Sequence, residues 1–148
     1  MAELQQRALA CLARREYSRA ELRDKLRPLA ENEAAVDGVL DRLESERLLS
    51  DQRYASQRVT ARATRYGDGR LRQELRQRGI SDADIAAALP AAGDETGRCH
   101  ALWQKKFGVL PETPAERAKQ LRFLQYRGFS SSAIQAVLRY GGEYGEEA

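Results

Sequence analysis

Leu75-Arg76-Gln77-Arg78-Gly79-Ile80-Ser81, continuing to Ile85, is the stretch on which the fold turns. It recurs without gaps as Leu12-Ala13-Arg14-Arg15-Glu16-Tyr17-Ser18, continuing to Leu22, and as Leu124-Gln125-Tyr126-Arg127-Gly128-Phe129-Ser130, continuing to Ile134. The shared pattern is Leu-x-x-Arg-(Gly/Glu)-(large apolar)-Ser-x-x-x-(Leu/Ile). It describes one helix ending and the next beginning across a very short turn. The Arg complements the negative end of the first helix. Gly79 and Gly128 suit the left-handed position just past that end, and Glu16 would take the same position at a steric cost. Ser18, Ser81 and Ser130 are N-cap residues for the following helix. The apolar residue before each Ser staples to the Leu or Ile four residues beyond it, pairing Tyr17 with Leu22, Ile80 with Ile85 and Phe129 with Ile134. Glu21 completes a capping box with Ser18, and Asp84 is a weaker version beside Ser81. Three copies in 148 residues predict tandem helical units.

Composition agrees. The chain has 23 Ala and 18 Leu but only 5 Val, 3 Ile and 4 Thr, which favours helices and excludes a β-rich fold or a parallel sheet. Helices are expected near 3–15, 19–29, 33–47, 51–66, 70–78, 82–89, 95–107, 113–127 and 131–140, with a frayed tail at 141–148. The fold class is therefore all-α: tandem repeats of a three-helix unit forming an elongated, curved, solenoid-like molecule. The expected division is a first repeat at 1–50, a bridging helix at 51–68, a second repeat at 69–108 and a third, truncated repeat at 109–148. Units this small bury little alone and must share surface with neighbours.

Several function classes fall away. No stretch is long and apolar enough for a membrane span, and Met1–Arg7 is polar, unlike a signal peptide. The two Cys, Cys11 and Cys99, are too few for a disulfide framework or a zinc site, so a reducing, cytoplasmic setting is expected. His100 is the only histidine, which leaves no His-based triad or ligand set. Gly67-Asp68-Gly69 is a turn, since it lacks the lysine and preceding strand of a phosphate loop. No catalytic, metal or cofactor residue is expected, and no small-molecule substrate.

Charge is what remains. The formal net charge is +3, and 21 of the 25 basic residues are Arg. Residues 51–78 hold 8 basic against 3 acidic side chains, and residues 94–127 hold 7 against 4. Arg58, Arg62 and Arg65 fall on one face of the fourth helix, and Arg72 and Arg76 on one face of the fifth. Like charges at this spacing cost roughly 0.2–0.5 kcal/mol per pair, so a stripe without acidic relief points to an external anion. Arg70 and Arg78 lie in the same basic stretch, and Lys105, Lys106, Lys119 and Arg122 extend it. Together these are the candidate partner and nucleic-acid residues.

Arg47-Leu48-Leu49-Ser50-Asp51-Gln52-Arg53-Tyr54-Ala55, followed by Gly69-Arg70-Leu71-Arg72-Gln73-Glu74-Leu75 and Arg78-Gly79-Ile80, resembles the central motif of the RecX family of bacterial regulatory proteins. The likeness extends to the flanking units and nearly the whole chain. It implies tandem three-helix repeats and a role in recombination, DNA repair and the SOS response. The implied partners are the RecA recombinase and its filament on single-stranded DNA, with weak non-specific DNA binding besides. Family members modulate, and mostly inhibit, RecA strand exchange, ATPase and co-protease activities, and are thought to lodge in the filament groove. The competing reading is a helix-turn-helix DNA-binding transcriptional regulator over residues 18–50. Against it stand the acidic third helix (Asp37, Asp41, Glu44, Glu46) and a helix after residue 50 where a wing would need a hairpin. A protein-interaction module without nucleic acid is the third reading.

Overall fold

The repeated joints decide how the chain turns. In the computed structural model, which describes residues 2–140, Gly79 and Gly128 take positive φ of 80° and 88°. The Ile80 N–H donates to Leu75 O at 3.0 Å and the Phe129 N–H to Leu124 O at 3.3 Å. These six-to-one bonds make each joint a Schellman turn, in which the motif Leu supplies the accepting carbonyl and the motif apolar residue the closing N–H. The caps follow: Glu21, Asp84 and Ala133 N–H groups donate to the hydroxyls of Ser18, Ser81 and Ser130 at 3.1, 3.1 and 3.2 Å. Ser18 and Glu21 form the full capping box.

The first copy departs from the pattern at Glu16. The one non-glycine with positive φ among the described residues is Arg47, at 62°, so Glu16 is not left-handed and carries no such strain. Ser18, at the far end of that joint, is extended, with φ of −74° and ψ of 158°. Arg47 closes the third helix in the same Schellman way, with Leu48 N–H donating to Leu43 O at 2.9 Å. That joint is one residue longer than the repeat and uses Arg at a position costing roughly 1–2 kcal/mol without glycine.

The described chain holds nine α-helices and no strand: α1 (Ala2–Arg14), α2 (Arg19–Leu26), α3 (Glu33–Ser45), α4 (Asp51–Arg62), α5 (Asp68–Gln77), α6 (Asp82–Ala88), α7 (Glu95–Lys106), α8 (Pro114–Tyr126) and α9 (Ser131–Tyr140). Short 3₁₀ turns, each carrying a Pro, follow α2 and α6. The tail expected to fray, residues 141–148, lies outside the described residues.

Compactness groups these elements into two units, a coarser division than the one expected. Unit 1 comprises residues 1–57 and 75–87, and unit 2 comprises 58–74 and 88–148. Unit 1 is built on Leu4, Ala8, Tyr17, Leu22, Leu26, Val36, Val39, Leu40, Leu43 and Leu49. Val36, Val39, Leu40 and Leu43 follow i, i+3, i+4, i+7 spacing, so α3 presents one continuous apolar stripe. Each fully buried Leu contributes about 1.5–3 kcal/mol. Asp51 and Arg53 tie the unit's joints together. The Arg19 N–H at the start of α2 donates to Asp51 Oδ1 at 2.7 Å. Arg53 donates to Arg47 O and Leu48 O at 3.1 and 3.3 Å and pairs with Glu16. Tyr54 and Ala55 are buried.

In unit 2, α7, α8 and α9 share a core of Cys99, Trp103, Leu124, Phe129, Ala133, Ile134, Val137 and Leu138. The buried Trp103 Nε1–H donates to Gln120 Oε1 at 2.8 Å, and Gln120 Nε2 donates onward to Val109 O at 3.0 Å, so the one buried amide is satisfied. The Gly67 turn packs backbone to backbone on the α8–α9 joint. Gly67 N–H donates to Arg127 O at 2.7 Å, and a Cβ at Gly67 would lie 2.5 Å from Gly128 C. Arg98, with its side chain only 10% exposed, donates to Ala63 O and Tyr66 O and pairs with Asp68 at 2.9 Å. It thereby caps the end of α4 through its side chain.

Candidate nucleic-acid and partner interface

Helix α4 ends at Arg62, so Arg65 sits in the following turn and not on a continuous helical face. That turn, the start of α5 and the end of α8 gather arginines about one ring. The guanidinium carbons of Arg62, Arg70, Arg127 and Arg65 lie 4.6, 4.8, 5.5 and 6.0 Å from the centroid of Tyr66. Arg127 also lies 5.0 Å from the Phe123 ring and donates to Arg65 O at 3.1 Å. Lys106 Nζ stands 5.5 Å from the same Phe123 ring. A π-face attracts cations, but four of them around one tyrosine leave a strongly positive field that a single ring does not offset.

Acidic relief is present in part, which corrects the expectation of an unrelieved stripe. Glu74 takes Arg62, with Nη2 donating to Oε1 at 2.9 Å and Nε 2.7 Å from Oε2. The second contact is an ion pair whose angle falls outside hydrogen-bond geometry, so those two buried atoms lack a formal hydrogen bond. The hydrogen bond that Arg62 donates to the Glu74 carboxylate holds the guanidinium above its ordinary pKa. Arg70 reaches Glu74 at 3.4 Å and donates to Tyr126 O at 3.3 Å. Arg76 and Arg78 fall in unit 1 and are neutralised by Asp82 at 3.1 Å and Glu21 at 2.9 Å. Apart from Arg70–Glu74, an i, i+4 pair within α5, these counter-ions come from outside the arginine's own helix, beyond the reach of i, i+4 reasoning.

Among the described residues, Arg58, Arg65, Arg72, Lys105, Lys106, Lys119 and Arg122 make no ion pair. Arg58 and Arg72 are half-buried, and the others are exposed. On α8, Lys119, Arg122 and Tyr126 follow i, i+3, i+7 spacing on one outer face, and Tyr126 is 77% exposed. Exposed cations flanking an uncovered aromatic ring can neutralise phosphates and stack a base. Arg127, Tyr66 and Tyr126 were not singled out from sequence as binding residues. Tyr66 read as an inward helix residue and Arg127 as a helix-end residue. The only signal that could have found them is the aromatic interleaving of the basic stretches.

Neither a metal cluster nor an ionised Cys99 thiol is found among the described residues. No group of His, Cys, Asp and Glu side chains there could hold a metal ion. Burial pushes the Cys99 thiol up to about 12, which keeps it un-ionised at neutral pH. Among the described residues, no helix is long and apolar enough to cross a membrane.

Comparison with known proteins agrees with this architecture. Three family models match in succession: the first three-helix domain of RecX over residues 6–43, the second over 50–89 and the third over 94–138. These spans place α4 in the second domain and α7 in the third, where the sequence reading set α4 apart and gave α7 to the second repeat. A regulatory protein RecX of Ralstonia nicotianae is 45% identical over 139 residues, covering 92% of this chain and 86% of the relative. One of Pseudomonas savastanoi pv. phaseolicola is 47% identical, covering 88% and 86%. A crystal structure of RecX from Lactobacillus salivarius superposes with a TM-score of 0.82 at 22% identity, over 93% of this chain and 94% of that one, a likeness of fold. A second crystal structure, of a regulatory protein RecX, gives 0.79 at 28% identity over 92% and 71%. With three consecutive domain matches and relatives above 40% identity along most of its length, the chain belongs to the RecX family of regulatory proteins.

Proposed function

We propose that this protein binds the RecA filament on single-stranded DNA in the cytoplasm and modulates, chiefly inhibits, its strand-exchange, ATPase and co-protease activities, without chemistry of its own. Family membership supports the partner. The observation that carries the mode of binding is the set of cations in unit 2 that make no ion pair among the described residues, Arg65, Arg72, Lys119 and Arg122 among them, the last two sharing the α8 face of the exposed Tyr126 ring. Such a surface suits phosphates and acidic protein side chains alike, and contacts of this kind position without reading sequence. The helix-turn-helix reading has less support. Asp37, Asp41 and Glu44 of α3 are occupied by Arg19 and Arg23, and residues 51–62 are helical where a wing would have to form.

The test is the ATPase of RecA on single-stranded DNA with increasing amounts of this protein. The expected result is a concentration-dependent fall in ATPase, reduced or absent for the Arg65→Glu, Arg72→Glu, Lys119→Glu, Arg122→Glu variant at unchanged helicity. A RecA ATPase indifferent to the protein overturns the proposal. A variant that still inhibits fully overturns the surface assignment.

A further inference from the structure

Unit 1 contains a cleft of about 350 Å³ between α1 and the end of α2 with its following 3₁₀ turn. Its apolar lining includes Tyr17 and Leu26, both buried, and Leu29, which is 52% exposed. Three cations surround it: Arg7 and Arg14 from α1, and Lys25 from α2. None of the three makes an ion pair or side-chain hydrogen bond among the described residues. That is conspicuous in this unit, where Arg15, Arg19, Arg23, Arg27 and Arg53 all have carboxylate partners. Near Arg14 and Lys25, Glu16 is engaged by Arg53, Glu21 by Arg15 and Arg78, and Asp24 by Arg27, while Glu3, four residues before Arg7, makes no ion pair with it among the described residues.

An apolar floor inside a cationic rim selects a ligand with the inverse pattern. We propose that this cleft is a docking site for an acidic peptide segment of a partner protein, which inserts a large apolar side chain between α1 and the α2 end and sets its carboxylates against Arg7, Arg14 and Lys25. The volume is at the small end of the range for ligand pockets and suits one or two side chains. Charge complementarity at the rim fixes orientation and speeds encounter. Nucleic acid fits less well. Tyr17 is the only aromatic residue lining the cleft, it is 7% exposed, and the Arg15 guanidinium lies over its ring at 3.6 Å, so no open face remains for a base. The proposal does not depend on RecA being the partner.

Cys11 lines the same cleft and is partly exposed, whereas Cys99 is fully buried with its thiol pushed up to about 12. Thiol modification of the full chain therefore reports on Cys11. The probe is a short synthetic peptide of Asp and Glu around a central Leu-Phe pair. At ten times its Kd the peptide is expected to slow Cys11 modification roughly tenfold. By anisotropy of the labelled peptide, Arg7→Glu with Arg14→Glu and Lys25→Glu is expected to weaken binding tenfold or more, and Leu29→Ser, at a half-exposed position outside the core cluster, severalfold. Replacing Leu-Phe by Ser-Ser in the peptide, or Asp and Glu by Lys, is expected to abolish protection. Failure of the acidic-apolar peptide to protect Cys11 overturns the proposal, as does undiminished binding by both variants. Stronger protection by a single-stranded oligonucleotide than by the peptide also overturns it and assigns the cleft to nucleic acid.

Discussion

In unit 1, Arg15, Arg19, Arg23, Arg27, Arg42, Arg53, Arg76 and Arg78 each meet a carboxylate, whereas in unit 2 only Arg62, Arg70 and Arg98 do so among the described residues. The supply of cations does not explain this. Unit 1 has 12 basic against 13 acidic residues, and unit 2 has 13 against 9. The difference lies in how many carboxylates are within reach. Unit 1 uses its arginines to bind its own joints, as with Arg53 at Glu16 and Arg78 at Glu21. Unit 2 holds most of its cations without internal partners, and mutual repulsion among them is relieved only by an external anion. A net charge of +3 therefore says little about where a partner binds.

The largest effect that could break this contrast is on binding. Reversing Arg65, Arg72, Lys119 and Arg122 to Glu should weaken single-stranded DNA binding on the order of a hundredfold, with a shallower salt dependence. Reversing the paired, exposed Arg27 and Arg42 of unit 1 should leave binding within about twofold, because their charge is already offset. Titration at two salt concentrations decides the matter, and equal losses from both variants would end the distinction.

Next in size is the exception inside unit 2. Glu74→Ala leaves Arg62, with its side chain 21% exposed, without its counter-ion, and should cost about 2–3 kcal/mol by chemical denaturation. A smaller value would mean that Tyr66 holds the arginines unaided.

Glu21 tests the self-satisfied unit through pH. Burial pushes its carboxyl up, but the Ser18 N–H, Arg15 and Arg78 outweigh this and hold it below the usual 4.5. A lowered folded pKa means that the contribution is complete above about pH 4.5 and is lost as pH falls through the lower folded value. Glu21→Gln should thus cost about 1 kcal/mol at pH 7, with the gap to the parent protein closing below pH 4.5. A deficit that does not change with pH would refute the ionic account. The smallest effect is expected at Arg42–Glu46, whose side chains are 64% and 44% exposed. Arg42→Ala should change stability by less than about 0.5 kcal/mol.

The fold was legible because its signals are local. Gly79, Gly128, Ser18, Ser81, Ser130 and Thr113 each act within one turn of chain, so the pattern around them locates helix ends almost to the residue. The α3–α4 joint escaped because Arg47 stands where glycine is expected and one extra residue shifts the Ser. The interface was legible as a region and not as an arrangement. Which arginine meets which carboxylate depends on contacts such as Arg62 with Glu74, or Arg78 with Glu21 at 57 residues' separation. Tyr66 becomes the centre of a cation cluster only when α4, α5 and α8 converge in unit 2. The same holds for Gly67, where the turn was evident but its backbone contact with Gly128 was not.

Trp103 is the chain's only tryptophan. It is 1% exposed and hydrogen-bonded to Gln120 within the core of unit 2. Intrinsic fluorescence is therefore a private signal of that unit. Its emission should be blue-shifted in the native protein and should move red when unit 2 opens, while events confined to unit 1 stay dark. Circular dichroism, which sums over every helix, registers both. The parent protein thus carries two optical channels, and whether the two units melt as one body or in sequence can be read by overlaying them, with no label attached.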